Sequence, residues 1–283
     1  MLPVPARPPE PSIASLRNSP GDGESLAMYW TFYWAVAAAQ LARWLPRRPS
    51  RVLDVSGGHS HSGAHAAAAG HTVLEVRDPH LAAAPPVAPV APAANGNGRH
   101  RPPAPRSGHN EHHPPGTLRQ IIAETGALPF LSDACVDAVI AEDRTLSRHL
   151  ATESTIAEIA RVLRPGGRVL LTVDSLTLGM ALLAEQNCWA HLSDVPSAEV
   201  VLVPWPDGTI TRCFWADQLR ELLTEVGLEV EWIRPRTVLS PSTVEHILTA
   251  SPRELPRLVR TELSAPLVDE SLGIHLLASA RRI

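Results

Sequence analysis

Short apolar runs alternate with polar segments, glycines and prolines through most of this chain. The runs at 52–55, 72–76, 136–141 and 168–173 have the length and composition of strands. The last two are apolar on both sides, which is typical of strands buried within a parallel sheet. An amphipathic helix is expected at 152–163, and the alternation of strand and helix predicts an α/β fold with a doubly wound sheet.

The remaining periodic segments complete this sheet. A helix of small residues at 62–69 follows the first strand and can lie close to the sheet. A short strand is expected at 119–123, and a helix at 215–226 leads into strands at 228–233 and 274–280. Together these elements predict a mainly parallel, seven-stranded sheet whose last strand inserts antiparallel at the edge.

Two segments lack this periodicity. Residues 1–25 are rich in proline, serine and glycine and are expected to form a disordered arm. Residues 81–116 are rich in proline, alanine, glycine, asparagine and histidine, and we interpret them as a disordered low-complexity insertion. One domain is therefore expected over 26–283, interrupted by that insertion.

A predicted helix at 26–45 is strongly aromatic. Five of the 12 aromatic residues of the chain lie between Tyr29 and Trp34 and surround the first half of this helix. Such a helix must be covered on most sides. One interpretation is packing in the core, and the other is a lid on which at least one aromatic side chain contacts a bound ligand.

Composition and charge narrow the functional classes. The 25 basic residues are all arginine, and they are dispersed and balanced by 29 acidic residues, which does not favour a nucleic-acid partner. No apolar run approaches the roughly 18–20 residues of a membrane span, and the three cysteines are widely spaced, as in a reducing compartment. We expect a cytoplasmic protein without a membrane partner or a bound metal; its oligomeric state stays open.

A glycine turn after the first strand carries specific chemistry. Asp54-Val-Ser-Gly-Gly58 places an acid before a glycine pair, and Asp78 ends the second strand. A strand, a glycine turn, a helix and a second strand closed by a carboxylate make half of a nucleotide-type binding fold.

Three segments resemble the class I S-adenosylmethionine-dependent methyltransferases. Residues 52–58 resemble the acid and glycine-rich turn of the family's first motif. Residues 127–140 resemble the approach to its fourth strand, and residues 156–171, with Arg164-Pro-Gly-Gly167, resemble its helix and fifth strand. The resemblance implies a Rossmann-like methyltransferase fold, S-adenosyl-L-methionine as the cofactor, and methyl transfer to a small-molecule acceptor such as a secondary metabolite.

The resemblance also implies the residues of the cofactor site. They are Asp54, Ser56, Gly57, Gly58, Asp78, Glu124, Ala141 and Glu142. The turn at 56–58 would lie along the methionine portion of the cofactor, as would Ala141 and Glu142. Asp54 would orient the turn or the ammonium group of the cofactor.

Two further acids would bind the adenosine portion. Asp78 would accept hydrogen bonds from both ribose hydroxyls, with Glu75 as the alternative acid for a strand shifted in register. Glu124, after the third strand, would meet the adenine amine.

The catalytic residues have no local motif. Methyl transfer is an in-line displacement that needs the acceptor, the methyl carbon and the sulfur aligned and shielded from water. A general base is needed only for an O–H or protonated N–H acceptor. His149, Asp143 and Tyr33 are the candidate catalytic residues, with His191 as a further histidine near the expected mouth of the site. A helix-capping side chain is the competing interpretation of His149.

Two other functions stay open. Ser56 and Ser60 stand where the family has glycines, so the alternative is a catalytically silent, methyltransferase-like binding or regulatory protein. An NAD(P)- or nucleotide-sugar-binding enzyme is disfavoured, because the chain has no G-x-G-x-x-G turn and carries a Pro-Gly-Gly before the predicted fifth strand.

Overall fold

The computed structural model describes residues 26–58, 61–79, 116–205, 208–266 and 273–283. The predicted disordered arm at 1–25 lies outside the described residues, as does the predicted insertion at 81–116 apart from Gly116. Ser60 also lies outside them.

The described residues form strands and helices in alternation. The strands are β1 (Arg51–Asp54), β2 (Thr72–Arg77), β3 (Thr117–Ile122), β4 (Val136–Ala141), β5 (Leu163–Ser175), β6 (Val201–Pro204), β7 (Ile210–Phe214), β8 (Leu228–Pro235) and β9 (His275–Arg282). The helices are α1 (Ala27–Trp44), α2 (Ser62–Ala68), α3 (Thr145–Arg148), α4 (Thr152–Val162), α5 (Leu176–Glu185), α6 (Trp189–Asp194), α7 (Ala216–Glu225), α8 (Pro241–Ala250) and α9 (Leu255–Ser264). Within this part of the chain, no helix has both the length and the apolar character needed to span a membrane.

Seven strands form the sheet that the sequence predicts, in the order β3-β2-β1-β4-β5-β9-β8. The first five in this order are parallel, and β9 is antiparallel to β5 and β8. The predicted α/β fold class is confirmed, and the last strand is antiparallel as predicted. Its predicted place at the edge is wrong, because β9 pairs with β5 on one side and with β8 on the other. Because parallel strands share their direction, β1, β2, β4 and β5 end at one side of the sheet, which we call the carboxyl edge.

A hairpin of β6 and β7 adds two strands that the sequence pattern did not predict. β7 pairs with the last two residues of β5, where Cys213 lies opposite Asp174 and Phe214 opposite Ser175. Helix α5 packs so closely on the hairpin that a Cβ atom at Gly179 would lie 2.8 Å from Cys213 Sγ. The hairpin therefore lies next to the point where β5 reaches the carboxyl edge.

The Pro-Gly-Gly segment ends α4, as predicted, but it also belongs to β5. The strand pairing shifts between Val136, opposite Leu163, and Ala138, opposite Arg168. Gly166 has a φ of 78°, which glycine adopts without steric cost. The segment is thus an irregularity at the start of a long strand, and it sets the register of the buried part of β5 against β4.

The aromatic helix α1 is buried by other helices. Tyr29, Phe32 and Tyr33 are at most 4% exposed and cluster with Val244 and Leu248 of α8. This packing agrees with the core interpretation of the aromatic run. It also fixes the Tyr33 hydroxyl next to the first residue of β9.

Candidate active site at the carboxyl edge

The glycine turn follows β1 and is held by the acid that precedes it. The Ser56 amide donates to Asp54 Oδ1 at 2.9 Å, and Gly57 and Gly58 have φ values of 76° and 88°. Residues with side chains rarely adopt such φ values, so this turn favours glycine at both positions. Ser56 accepts a hydrogen bond from the Glu142 amide at 2.9 Å, and its side chain therefore joins the turn to the end of β4.

Asp54 is a buried acid at the base of this turn. It is 1% exposed, and α2 begins so close that a Cβ atom at Gly63 would lie 2.9 Å from Asp54 Oδ2 and 3.2 Å from Glu75 Oε2. Burial raises the pKa of Asp54 to about 7; hydrogen bonds from Ser56 oppose this rise, and the charges of Glu75 and Glu142 add to it. The charge of Asp54 therefore changes near neutral pH.

Asp78, just after β2, binds the loop that follows β3. Its Oδ2 accepts from the amide and from the hydroxyl of Thr125, each at 2.9 Å, and Asp78 is 1% exposed. His149 Nε2 lies 2.5 Å from the same hydroxyl. Burial lowers the pKa of His149, although the charge of Asp78 opposes this. The acid that was predicted to bind ribose thus holds the β3 loop, next to the exposed Glu124.

Arg77 is a β2 side chain that lies against the glycine turn. A Cβ atom at Gly58 would lie 3.0 Å from Arg77 Cγ. Arg77 Nε donates to Glu75 Oε1 at 3.0 Å, and Gln120 Nε2 donates to the same oxygen at 3.3 Å. The Arg77 side chain is 51% exposed, whereas the Glu75 side chain is 7% exposed. Of the charged residues near the end of β2, Arg77 is therefore the accessible one.

Glu142 follows Ala141, the fully buried last residue of β4, and forms a buried ion pair. Arg236, just after β8, donates from Nη2 to Glu142 Oε1 at 2.6 Å and to Thr172 Oγ1 at 2.6 Å. The Ser62 hydroxyl donates to Glu142 Oε2. The Arg236 and Glu142 side chains are each 1% exposed. Both oxygens of the Glu142 carboxylate are therefore bonded to the protein itself.

A second group of charged and polar side chains lies at the ends of β5 and β9. We call Tyr33, Arg144, Asp174 and His275 the buried polar cluster, because none is more than 4% exposed. Tyr33 Oη lies 3.0 Å from His275 Nδ1, and His275 Nε2 lies 3.5 Å from Asp174 Oδ1. Arg144 donates to the two Asp174 oxygens at 2.6 and 3.2 Å. Within the described part of the chain, His275 Nε2 has no hydrogen-bond partner.

The cluster joins a tyrosine hydroxyl to a neutral imidazole. Burial lowers the pKa of His275 to about 3, with Asp174 opposing, and burial raises the pKa of Tyr33. Both side chains are therefore neutral at pH 7. With its hydrogen on Nε2, the neutral His275 ring accepts a hydrogen bond from the Tyr33 hydroxyl at Nδ1, and Nε2 faces Asp174.

The predicted catalytic residues have different surroundings. Tyr33 belongs to the buried polar cluster. Asp143 forms an ion pair with Arg148 at 3.6 Å, and His149 contacts the Thr125 hydroxyl. His191 is exposed on α6. Among the four predicted catalytic candidates, Tyr33 is therefore the one whose side chain contacts the His275 imidazole.

Sequence reasoning missed Arg144, Asp174, Arg236 and His275 as site residues. Asp174 and His275 lie in strands that are otherwise largely apolar, and an isolated polar residue in such a strand is a detectable signal. The two arginines lie just outside strands among other polar residues, so the sequence pattern gives no comparable signal for them.

Comparisons with known proteins agree with this fold. Residues 103–171 match the methyltransferase domain family. A SAM-dependent methyltransferase from Methanosarcina mazei has a TM-score of 0.51 and 16% identity, with 86% of this chain and 97% of that chain covered. The 1,6-didemethyltoxoflavin-N1-methyltransferase from Burkholderia thailandensis, with 1,6-didemethyltoxoflavin and S-adenosylhomocysteine bound, has a TM-score of 0.50 and 20% identity, with 99% and 93% covered. No curated protein matches the chain.

The sheet order and the structural neighbours define a class I methyltransferase fold. Residues 103–171 also match the methyltransferase domain family, which agrees with the predicted resemblance to the S-adenosylmethionine-dependent methyltransferases. The match supports the predicted enzyme class and, with it, S-adenosylmethionine as the cofactor.

The described residues fit the amino-acid end of S-adenosylmethionine. The Gly57–Gly58 backbone has no side chains and adopts a conformation that allows close approach of a bound molecule. Asp54 supplies a buried carboxyl group at the base of the turn, which suits an ammonium group, and the exposed Glu124 lies at a neighbouring strand end. The match to the methyltransferase domain family supports methyl transfer as the general activity.

Proposed function

We propose that this protein transfers a methyl group from S-adenosylmethionine to a small molecule that binds beside the buried polar cluster. The observation that carries this proposal is the enclosure of Tyr33, Arg144, Asp174 and His275 at the carboxyl edge, under the aromatic helix α1. Side chains buried in this way can contact only an acceptor small enough to enter the fold, whereas a macromolecular acceptor requires its methylated group to reach an open surface.

One structural neighbour supports the acceptor class. The Burkholderia thailandensis enzyme, with a TM-score of 0.50, methylates 1,6-didemethyltoxoflavin, a small molecule. The present chain covers 93% of that enzyme, so the likeness extends over nearly the whole of that fold. This likeness supports a small-molecule acceptor for the present chain, and the acceptor itself is left to experiment.

In this proposal the cofactor lies along the glycine turn. The backbone at 56–58 and Asp54 bind its methionine portion, while Ala141 and Glu142 form the neighbouring wall. Glu124 faces the adenine. Asp78 acts as a positioning residue, because its carboxylate holds the Thr125 amide and hydroxyl at the base of the loop that carries Glu124.

The cofactor supplies a methyl group activated by a positively charged sulfur. The protein holds the acceptor in line and excludes water. We assign contact with the acceptor to Tyr33: its hydroxyl donates to His275 Nδ1, and its oxygen accepts a hydrogen bond from the O–H or N–H group of the acceptor. The proton of that group leaves with the methylated product and is lost to water on release. Asp174, held by Arg144, faces the other nitrogen of the neutral His275 ring.

Calorimetric titration with S-adenosylhomocysteine tests the location of the cofactor. The wild-type protein should bind it, and Gly58→Ala should weaken binding at least about tenfold, because a methyl group then occupies the turn. Gly208→Ala is the matched control: Gly208 has a φ of 84°, close to the 88° of Gly58, but among the described residues no atom beyond its chain neighbours lies within 4 Å of the added Cβ. Equal affinity of the two variants, or no binding by the wild type, would contradict the proposal.

A catalytically silent binding protein is the second candidate function. It is favoured by one observation, the bonding of both Glu142 oxygens to Arg236 and Ser62, which occupies the wall of the proposed cofactor site. The two functions differ in a transfer assay with methyl-labelled cofactor and fractionated cell extract. A labelled small molecule supports the enzyme, and cofactor binding without any labelled product supports the silent protein.

A further inference from the structure

The Arg77 side chain lies against the glycine turn and directly precedes Asp78, the acid that the resemblance implies for ribose binding. We propose that the Arg77 side chain covers the glycine turn and competes with the cofactor for the space next to Gly58. Arg77 would then set the affinity of the site, which is a role that neither the family match nor the sequence analysis assigns. The inference rests on the proposed location of the cofactor along this turn.

The first support is the position of the Arg77 stem. A Cβ atom at Gly58 would lie 3.0 Å from Arg77 Cγ, 3.5 Å from Cδ and 3.6 Å from Nε. The aliphatic stem and the beginning of the guanidinium therefore occupy one face of the turn. A ligand atom in van der Waals contact with that face of Gly58 would overlap with the arginine, so the side chain must move when a ligand binds there.

The second support is the way in which Arg77 is held. Its Nε donates to Glu75 Oε1 at 3.0 Å, and Glu75 is fixed in turn by Gln120 from β3. The Arg77 side chain is 51% exposed, so this ion pair is screened by water and salt and is weak. The ion pair with Glu75 therefore holds Arg77 over the turn, but it is weak enough for the side chain to move away when a ligand binds.

The third support comes from the neighbouring acid. Asp78 is 1% exposed and accepts two hydrogen bonds from Thr125. A ligand on the turn therefore meets the arginine at the end of β2 and not an exposed carboxylate. If the cofactor binds only when Arg77 has moved off the turn, the apparent dissociation constant equals the intrinsic dissociation constant divided by the fraction of molecules in which Arg77 has moved.

Titration with S-adenosylhomocysteine tests this inference, with Arg119→Ala as the control for loss of an exposed arginine from the neighbouring strand β3. Arg77→Ala should bind about two- to fivefold more tightly than wild type, the range that opening a weak exposed ion pair allows. Arg119→Ala should bind like wild type. Raising the salt concentration from about 0.05 to 0.5 M should tighten binding by the wild type but not by Arg77→Ala, because salt weakens the ion pair with Glu75.

The outcomes separate this inference from the proposed function. Weaker or unchanged binding by Arg77→Ala, with binding by the wild type intact, would overturn the covering role and would make Arg77 a ligand-contacting or neutral residue. Absence of binding by the wild type, Arg77→Ala and Arg119→Ala would overturn the proposed cofactor site together with its cover. Tighter binding by Arg77→Ala alone, with loss of the salt effect, supports the covering role.

Discussion

Replacing Asp54 by asparagine should stabilise the protein at neutral and alkaline pH. The carboxyl group is 1% exposed, and burial raises its pKa from 3.8 to about 7. When the pKa of an acid is higher in the folded state than in the unfolded state, the acid stabilises the fold at pH values below the unfolded-state pKa. This contribution is lost as the pH rises to the folded-state pKa. The asparagine side chain would keep an acceptor for the Ser56 amide without the buried charge.

The expected size follows from the difference between the two pKa values. The rise from 3.8 to about 7 corresponds to about 4 kcal/mol between the acid and alkaline limits. The advantage of Asp54→Asn over wild type should grow by about 1.4 kcal/mol per pH unit between about pH 4 and 7. Between pH 5 and pH 7.5 the difference in unfolding free energy should therefore increase by about 3 kcal/mol.

Urea unfolding of both proteins across this pH range measures the difference directly. Taking the difference between variant and wild type cancels the titration of all other groups. Asp217→Asn, at an exposed position on α7, is the matched control for the same chemical change at a carboxyl group that is not buried. A pH-independent difference for Asp54→Asn would refute the reasoning that a buried, partly protonated carboxyl group lies under the glycine turn.

The remaining predictions concern the two buried groups at the carboxyl edge. Arg236→Met should lower the unfolding free energy in urea by about 3–5 kcal/mol, because Glu142 is left charged and unpaired; adding Glu142→Gln should restore part of this loss, and full additivity of the two changes would argue against the pair. Tyr33→Phe and Tyr29→Phe each remove one buried hydroxyl of α1 and should each cost about 1–2 kcal/mol in unfolding free energy. Only Tyr33→Phe should also slow methyl transfer, by about tenfold, since only this hydroxyl is held by His275. Equal rates for the two variants would contradict contact between Tyr33 and the acceptor.

The strands of the parallel sheet could be predicted because buried strands consist of short runs of apolar residues, which are visible in the sequence. The run Val136–Ala141 is apolar on both faces, and its predicted and observed bounds coincide. The β6–β7 hairpin was missed because its strands are only four and five residues long. β7 pairs with the last two residues of β5, a contact between distant segments that periodicity does not reveal.

The candidate site was less predictable because its partners are distant in the chain. Asp78 is next to Arg77 in sequence, yet Asp78 bonds Thr125, which is 47 residues away, whereas Arg77 remains in its own strand and lies on the turn. Glu142 was identified from its place after β4, but its partner Arg236 lies 94 residues further on. The hydrophobic pattern of the sequence locates the ends of the strands. The direction of each side chain at a strand end depends on partners distant in the chain, and the pattern does not show which residues these are.

The central position of β9 has a consequence for biosynthesis. The strand begins at His275, and it separates β5 from β8, which have no other neighbour in common. A nascent chain emerges from its amino terminus first, so β5 and β8 have both been made long before the ribosome supplies the strand that joins them. The imidazole next to Tyr33 arrives with that same strand, so the buried polar cluster can be completed only after β9 has been made.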